Sequence, residues 1–463
     1  MEPWSPRSFQ RRAIKVLLSQ AAVALFMKPG LGKTSTALAA FKVLKKQGLA
    51  KKMLVVAPLR PAYETWPAEI AKWDEFNSLT YSIIHDKKEA ALEVDADIYI
   101  INPEGLLWLL EKGSNRISRW DFSVLVVDES TKFKNSASKR FKLLKKELSR
   151  FSRRWILTGS PQPKWIMDLF AQIYLLDQGN CLGPYVTHFR NKYFYQPNPY
   201  KRQYEYIPHD WAFDEIVSRI DPLVVYVDLK EYVDMPELIV TDIVVRMPPE
   251  VTTTYKAIED EFIALLDGGV VVAQNAAAAG TKCRQVANGA VYLETNEMLM
   301  GGQQRPYEVL HDKKIEALKD LIEEIGEPTI VAYEYQHDVE RITKAIPNAA
   351  VIRGGTSAKR ASEVIAAFNL GNIDVLVGHP ASMGHGLNLQ AKCSNIIFFG
   401  ITWDYEHYEQ IIARIWRQGQ ASKRVMVYHI VCADTLDEKV VRVLKDKERN
   451  QQKLLESLTG GEE

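Results

Sequence analysis

Cysteine is scarce and scattered. Four occur in 463 residues, at positions 181, 283, 393 and 432, and none stands in a C-x-x-C pair. A disulfide framework or a structural zinc site needs clustered thiols, so this spacing argues against both and fits a reducing compartment. No stretch approaches the roughly 18 consecutive apolar residues of a bilayer span. The opening residues, MEPWSPRSFQRRAIK, lack the apolar core of an export signal. An excess of one charge is missing too: 59 Lys and Arg stand against 58 Asp and Glu, a formal net charge of +1, which excludes a wholesale polybasic binder. No internal repeat is visible at a period of roughly 20–50 residues. The expectation is a soluble, cytoplasmic protein that is not exported and touches no membrane. Its composition, 46% hydrophobic and 25% charged, is ordinary for a globular chain. The length suits roughly two to four domains, each with its own core.

Short apolar runs recur at helix-length intervals. The first set covers 21–27 (AAVALFM), 53–58 (MLVVAP), 97–102 (DIYIIN), 123–128 (SVLVVD) and 155–158 (WILT). The second covers 329–333 (TIVAY), 350–352, 374–377 (DVLV), 395–399 (NIIFF) and 425–431 (VMVYHIV). Continuous runs this short are strands buried on both faces, as in a parallel sheet covered by helices. The pattern predicts an α/β protein with two such sheets of about five strands each. Between the sets lie a Tyr/Pro-rich patch (YFYQPNPYKRQYEYIP) and a Gly/Ala-rich patch (GGVVVAQNAAAAG). The expected division is therefore 1–180, a linker and helical insertion over 181–305, and 306–463. The alanines at 276–279 read either as a hinge or as a small-residue helix or loop. The final stretch, DKERNQQKLLESLTGGEE, predicts a charged helix that frays.

The run 21–27 leads into Lys28, Pro29, Gly30, Leu31, Gly32, Lys33 and Thr34, followed by a helical stretch. Strand, glycine loop and helix in that order is the context of a phosphate-binding loop. Gly30 and Gly32 let backbone N–H groups turn inward, and the helix N-terminus adds partial positive charge. Lys33 can reach the β- and γ-phosphates, and the Thr34 hydroxyl can bind Mg2+. The full G-x-x-x-x-G-K-[ST] pattern has glycine where this chain has Met27. Asp128 and Glu129 close the run 123–128. An Asp at that end of a strand holds Mg2+, and the adjacent Glu can orient the attacking water. Taken alone the pair is equally an acidic turn. With the phosphate loop upstream, ATP and Mg2+ are the expected ligands.

Further motifs follow in a fixed order: Phe9-Gln10, KPGLGKT, VVAPLRPAYETWPAEIAKW from Val55, VVDESTKFKN from Val126, LTGSP from Leu157, GLNL from Gly386 and QIIARIWRQGQ from Gln410. Together they resemble superfamily 2 helicase-like ATPases, and the spacing is similar to the Swi/Snf type. The closing Q-x-x-x-R-x-x-R-x-G-Q and Lys134-Asn135 after the acidic pair carry most of the likeness, aided by KCRQVANGAVYL from Lys282. The resemblance spans nearly the whole chain and implies two RecA-like lobes forming a stand-alone motor core, as in some bacteriophages and bacteria. It implies that Gln10 reads adenine and that Thr158, Ser160, Gly386, Asn388 and Gln410 couple the ATP site to nucleic acid. It further implies that Arg414 and Arg417, at i and i+3 on one helix face, act as arginine fingers toward a nucleotide held between the lobes. The chain departs from the family pattern at Thr131, where His is common, at Met383, where a glycine is usual, and at Pro163-Lys164, where an Asn is expected.

From 132 to 154, ten Lys and Arg stand against one acid, Glu147. Such a stretch in a neutral protein is either a footprint for phosphate backbone, with Lys132, Lys134, Lys139 and Arg140 as contacts, or a solvated helix face over Phe141, Leu144 and Leu148. The cluster of Lys42, Lys45, Lys46, Lys51 and Lys52 reads as a solvated face. No base-reading motif is visible, so binding is expected to ignore sequence. By the resemblance the track is double-stranded DNA and the output is translocation. Single-stranded DNA or RNA is the track of the rival reading, a strand-separating helicase. An ATP-gated clamp with little turnover is the other rival. His337, His379, Trp403 and Trp416 read as packing residues, and Trp66 and Trp73 as one helix face against the first sheet.

Overall fold

A computed structural model describes residues 3–59, 61–111, 114–161, 165–197, 206–227, 235–267, 273–293, 305–383, 387–417 and 419–458. Every apolar run named above forms a strand. The first sheet has seven: β1 (Ala22–Met27), β2 (Lys52–Val56), β3 (Tyr81–Ile84), β4 (Ile98–Ile101), β5 (Phe122–Asp128), β6 (Arg153–Thr158) and β9 (Val224–Val227). Between the last two, β7 (Phe194–Tyr195) and β8 (Ile207–Pro208) make a small antiparallel pair. The order is β3-β4-β2-β5-β6-β1-β9, with parallel pairing throughout.

The second sheet has six parallel strands: β10 (Glu237–Val245), β13 (Thr329–Ala332), β14 (Ala350–Ile352), β15 (Val375–Gly378), β16 (Asn395–Phe398) and β17 (Arg424–Cys432). Their order is β10-β17-β16-β13-β15-β14, and a short antiparallel pair, β11 (Ala290–Tyr292) with β12 (Tyr307–Val309), stands apart. Alternation sends Ile330 and Ile396 into one apolar cluster and Val331 and Ile397 into another, one on each face of this sheet. The α/β class with two RecA-like parallel sheets is thus the architecture.

The expected count of about five strands per sheet fell short by three, β3, β9 and β10, and each is an edge strand. An edge strand keeps one side toward solvent, so its sequence alternates instead of running continuously apolar. The three burial patterns show it, half-buried and buried residues alternating along β9. The grouping of the chain also differs from the expected three-part division at 180 and 305. The chain falls into two compact units, Met1–Val233 with Lys447–Glu463, and Asp234–Asp446. The middle stretch supplies β9 to the first sheet and β10 to the second, which is why it does not stand as a block of its own. The 276–279 alanines lie inside the helix Ala273–Asn288.

The C-terminal helix runs from Leu436 to Leu458, and Leu454, Leu455 and Leu458 near its end are buried in the core of the first unit. Met383 is accommodated by a glycine: its sulfur lies 1.7 Å from where a Cβ on Gly378 would stand. Among the described residues no helix is long and apolar enough to cross a membrane.

Candidate active site

Three neighbouring strands bring the first unit's chemistry together. β1 pairs with β6 so that Phe26 stands opposite Thr158, and β6 pairs with β5 so that Leu157 stands opposite Asp128. The loops leaving the carboxyl ends of these strands are therefore side by side, the place where open α/β sheets bind ligands.

The phosphate loop takes its shape from Gly30 and Gly32, with φ of 88° and 74°. A Cβ on Gly32 would also lie 2.5 Å from Gln10 Nε2 and 2.9 Å from Ser35 Oγ, so only glycine fits. The helix Lys33–Lys46 starts directly after it, with Gly32 O accepting from Thr36 N–H and from the Ser35 and Thr36 hydroxyls. Its first N–H groups are thereby left to point into the loop. Lys33 Nζ donates to Met27 O at 2.7 Å. That explains why Met27 serves where glycine is usual: the lysine uses its backbone carbonyl, while its side chain is fully buried in the core. Thr34, half-buried, follows Lys33. Gln10 accepts from Arg7 N–H at 2.9 Å and donates from Nε2 to Leu31 O at 3.3 Å, which braces the loop from the preceding helix. Pro29 packs against the next loop, since a Cβ on Gly159 would stand 2.9 Å from Pro29 Cδ.

Asp128 is 7% exposed. Its Oδ2 accepts from Trp66 Nε1–H at 2.9 Å and its Oδ1 from Glu129 N–H at 3.1 Å. Burial pushes this carboxyl above its ordinary range, against the Trp66 hydrogen bond, the Lys33 charge and the Glu129 N–H, which all favour the ionised form. Glu129 has a φ of 51°, a left-handed conformation unusual for a glutamate. Ser160 N–H donates to the hydroxyl of buried Thr158 at 3.1 Å, which shapes the 158–161 loop. The donor set suits a triphosphate with Mg2+: a glycine cradle with an ammonium, a threonine hydroxyl and a carboxylate, with the phosphates completing the metal's oxygen shell. Lys33 would meet phosphate oxygens, and Thr34 and Asp128 would hold the metal. Pro163 and Lys164 lie outside the described residues.

In the second unit the helix Tyr405–Ile412 carries Gln410, buried, with Nε2 donating to Glu406 Oε1 at 3.3 Å. Arg414 and Arg417 do not share a helix face as expected, because the helix ends at Ile412. Tight turns replace it: Arg414 N–H bonds Ile411 O and Arg417 N–H bonds Ile415 O. Side chains hold these turns, with Trp416 Nε1 donating to Pro236 O at 2.9 Å and Gln420 Nε2 to Cys393 O at 2.9 Å. The Arg414 guanidinium donates to Gln410 O at 3.0 Å and to Leu387 O at 3.4 Å, which ties it to the segment holding Asn388. Asn388 is exposed, and its carbonyl accepts from Asn369 Nδ2 at 2.7 Å. Gly386 lies outside the described residues.

The basic stretch divides by burial. Arg153 and Arg154 turn inward to backbone carbonyls, Arg153 to Leu17 and Gln20 and Arg154 to Leu148, Phe151 and Leu176. Burial lowers the pKa of both. Lys132 and Lys134 are half-buried beside Phe133, and Arg140 pairs with Glu104 at 3.3 Å. On the helix Lys139–Glu147, Lys139, Lys142 and Lys146 are exposed at i, i+3 and i+7, one outward stripe opposite buried Phe141 and Leu144. Lys42, Lys45, Lys51 and Lys52 each pair with an acid, Glu75, Asp97, Asp121 and Asp95 respectively, as a solvated face would. Two contacts at the site went unread in the sequence: Trp66, taken only as packing against the first sheet, bonds a carboxylate 62 positions away, and Gln172 bonds Ser130 42 positions away.

The fold and this loop arrangement define a nucleotide-hydrolysing enzyme of the helicase-like class. Residues 9–197 match the SNF2-related domain and residues 313–419 the helicase conserved C-terminal domain. Over 474 residues, and 99% of either chain, the sequence is 34% identical to protein p41 of Acyrthosiphon pisum secondary endosymbiont phage 1. It is 23% identical over 441 residues to the uncharacterized ATP-dependent helicase YqhH of Bacillus subtilis, covering 90% of this chain and 73% of that one. Among solved structures, the Sulfolobus solfataricus SWI2/SNF2 ATPase core in complex with dsDNA aligns over 98% of this chain and 96% of that chain, with 21% identity and a TM-score of 0.45. The chain belongs to the SNF2-type branch of the superfamily 2 helicase-like ATPases, and ATP is its fuel.

Proposed function

We propose that this protein is a motor that hydrolyses ATP in response to double-stranded DNA and translocates along it with little regard to sequence. The observation that carries the reading is the exposed stripe of Lys139, Lys142 and Lys146 in the same unit as the phosphate loop, with no acid on that face of the helix. Cations spaced along one helix suit a phosphate backbone and carry no base information. Lys132, Lys134 and Arg140 extend the same footprint.

At the nucleotide, Lys33 would neutralise phosphate charge, Thr34 and Asp128 would hold Mg2+, and Glu129 would orient the attacking water and receive its proton. Mg2+, when bound, would supply charge neutralisation at the phosphates. Gln10 recognises the base, and Arg414 and Arg417 act as arginine fingers toward the nucleotide. Such arginines contribute roughly 10³–10⁵ in kcat in phosphoryl transfer. Thr158, Ser160, Gly386, Asn388 and Gln410 relay between nucleotide and DNA. Alternate gripping by the two units during binding and hydrolysis then yields movement.

Steady-state ATP hydrolysis, measured with no nucleic acid, single-stranded DNA, duplex DNA and RNA, each beside Lys33→Ala, tests this. Strong stimulation by duplex DNA, abolished in the variant, is the expected result. Stimulation by single strands or RNA alone would shift the function to strand separation. Slow turnover indifferent to all of them would indicate a clamp.

A further inference from the structure

Behind the acidic pair this chain carries Ser130-Thr131, and Ser130 is fully buried. Its hydroxyl donates to Gln172 Oε1 at 2.7 Å. Gln172, on the helix Leu169–Asp177, is itself fully buried and donates from Nε2 to Pro161 O at 2.7 Å and to Asp168 O at 2.9 Å. Chemistry fixes the orientation of this amide. The two carbonyl oxygens can only accept, so the NH2 group must face them, which leaves Oε1 for the serine hydroxyl. Both amide hydrogens are used, and the side chain has one way to sit.

What lies at each end gives the arrangement its meaning. Ser130 directly follows Glu129, whose φ of 51° is a strained conformation for a residue with a side chain. Such strain persists only where neighbouring contacts over-determine it. Pro161 closes the loop containing Thr158 and Gly159, and Gly159 packs against Pro29 of the phosphate loop. One buried side chain therefore joins the residue after Glu129 to the loop that abuts the phosphate loop.

We propose that Gln172 is a positioning residue for hydrolysis. It pins the strained turn that aims Glu129, and it makes that aim depend on the position of the 158–161 loop. The second part rests on the DNA-stimulated reading given above, since the loop is then the route by which DNA engagement reaches the water-orienting carboxylate. Gln172 makes and breaks no covalent bond and touches no phosphate.

The test compares wild type, Ser130→Ala, Gln172→Met and the double variant. For each, kcat and KM for ATP are measured without DNA and with saturating duplex DNA, together with a thermal melt. A misaimed Glu129 should lower DNA-free kcat by about ten-fold or more. KM for ATP should stay within about two-fold, because the phosphate loop is untouched. The double variant should be no slower than the slower single variant, since both cut one path. The gain from DNA should shrink in all three. Folded variants that keep the wild-type kcat would overturn the proposal, and so would folded variants in which kcat and KM change together. If wild type itself gains nothing from DNA while the variants still lose DNA-free kcat, the DNA reading fails and the positioning role stands. Should Gln172→Met not fold, Ser130→Ala decides, because it leaves both carbonyl bonds of Gln172 in place.

Discussion

Asp128 is held between opposing influences: burial resists its charge, while Trp66, Lys33 and the Glu129 N–H favour it. If Asp128 holds Mg2+ as proposed, this balance sets the pH at which it can do so. Trp66→Phe keeps the ring and removes the N–H that stabilises the carboxylate, so the pKa of Asp128 should rise further. The acid limb of the kcat–pH profile should then move to higher pH, and more Mg2+ should be needed for half-maximal rate at pH 6 to 7, both readable in one set of rate measurements. An unmoved acid limb would show that another group controls it. Lys33, Thr34, Asp128 and Glu129 stand out in the sequence as candidates because each sits in a short motif next to an apolar run. The contacts that Trp66 and Gln172 make were not legible there, because their partners are 62 and 42 positions away and no local pattern announces them. The i, i+3 spacing of Arg414 and Arg417 misled, because spacing implies a shared face only while a helix continues, and here it stops at Ile412.

Among whole elements, strands covered on both sides could be read directly, whereas of the four strands at the edges of the two large sheets only the short β14 was read and β3, β9 and β10 were not. β10, the longest edge strand at nine residues, alternates between exposed and half-buried positions and so lacks the continuous apolar signature of its neighbour β17. The close fit of Met383 over Gly378 gives a prediction for the second sheet. Gly378→Ala should cost about 1–3 kcal/mol in chemical denaturation. The same substitution in a Met383→Ala background should cost much less, because the sulfur that collides with the new methyl is gone. Equal costs in both backgrounds would mean that the methionine moves aside freely. For the helix Lys139–Glu147, replacing Lys139, Lys142 and Lys146 with Glu should leave DNA-free ATP hydrolysis intact while weakening DNA binding. The slope of log affinity against log salt should become shallower by up to about 0.9 for each phosphate that the protein ceases to neutralise. A slope that does not change would remove this stripe from the DNA-binding surface.

For the molecule as a whole, acid tolerance should differ between the two units. In the second, His311 is buried, with Nε2 donating to Val286 O at 3.0 Å and Nδ1 accepting from Lys313 N–H at 3.3 Å, so the neutral ring fills both roles. Burial first, then the Arg341 and Lys314 charges, lower its pKa from 6.5 to about 4, against the Val286 bond and Asp312. Between those values the unfolded chain binds the extra proton and the folded one does not. Stability is therefore full above about pH 6.5 and falls as the pH drops toward 4, by up to about 3 kcal/mol. His311→Gln, which can still donate to the carbonyl but does not titrate, should flatten this dependence in guanidinium melts at pH 4.5 and 7. A variant with the wild-type slope would place the acid sensitivity elsewhere.

The first unit is discontinuous in sequence, and that has a consequence for how the protein is made. Leu454, Leu455 and Leu458 complete its core, yet they leave the ribosome roughly 220 residues after Val233. At ordinary elongation rates that is a wait on the order of 10–45 s. Throughout it, the nascent amino-terminal unit carries an unfilled apolar socket, while Asp234–Asp446 can finish folding ahead of it. Birth order and completion order are therefore reversed. A nascent chain stalled before Leu454 should offer chaperones and proteases its oldest half first, though that half holds the phosphate loop.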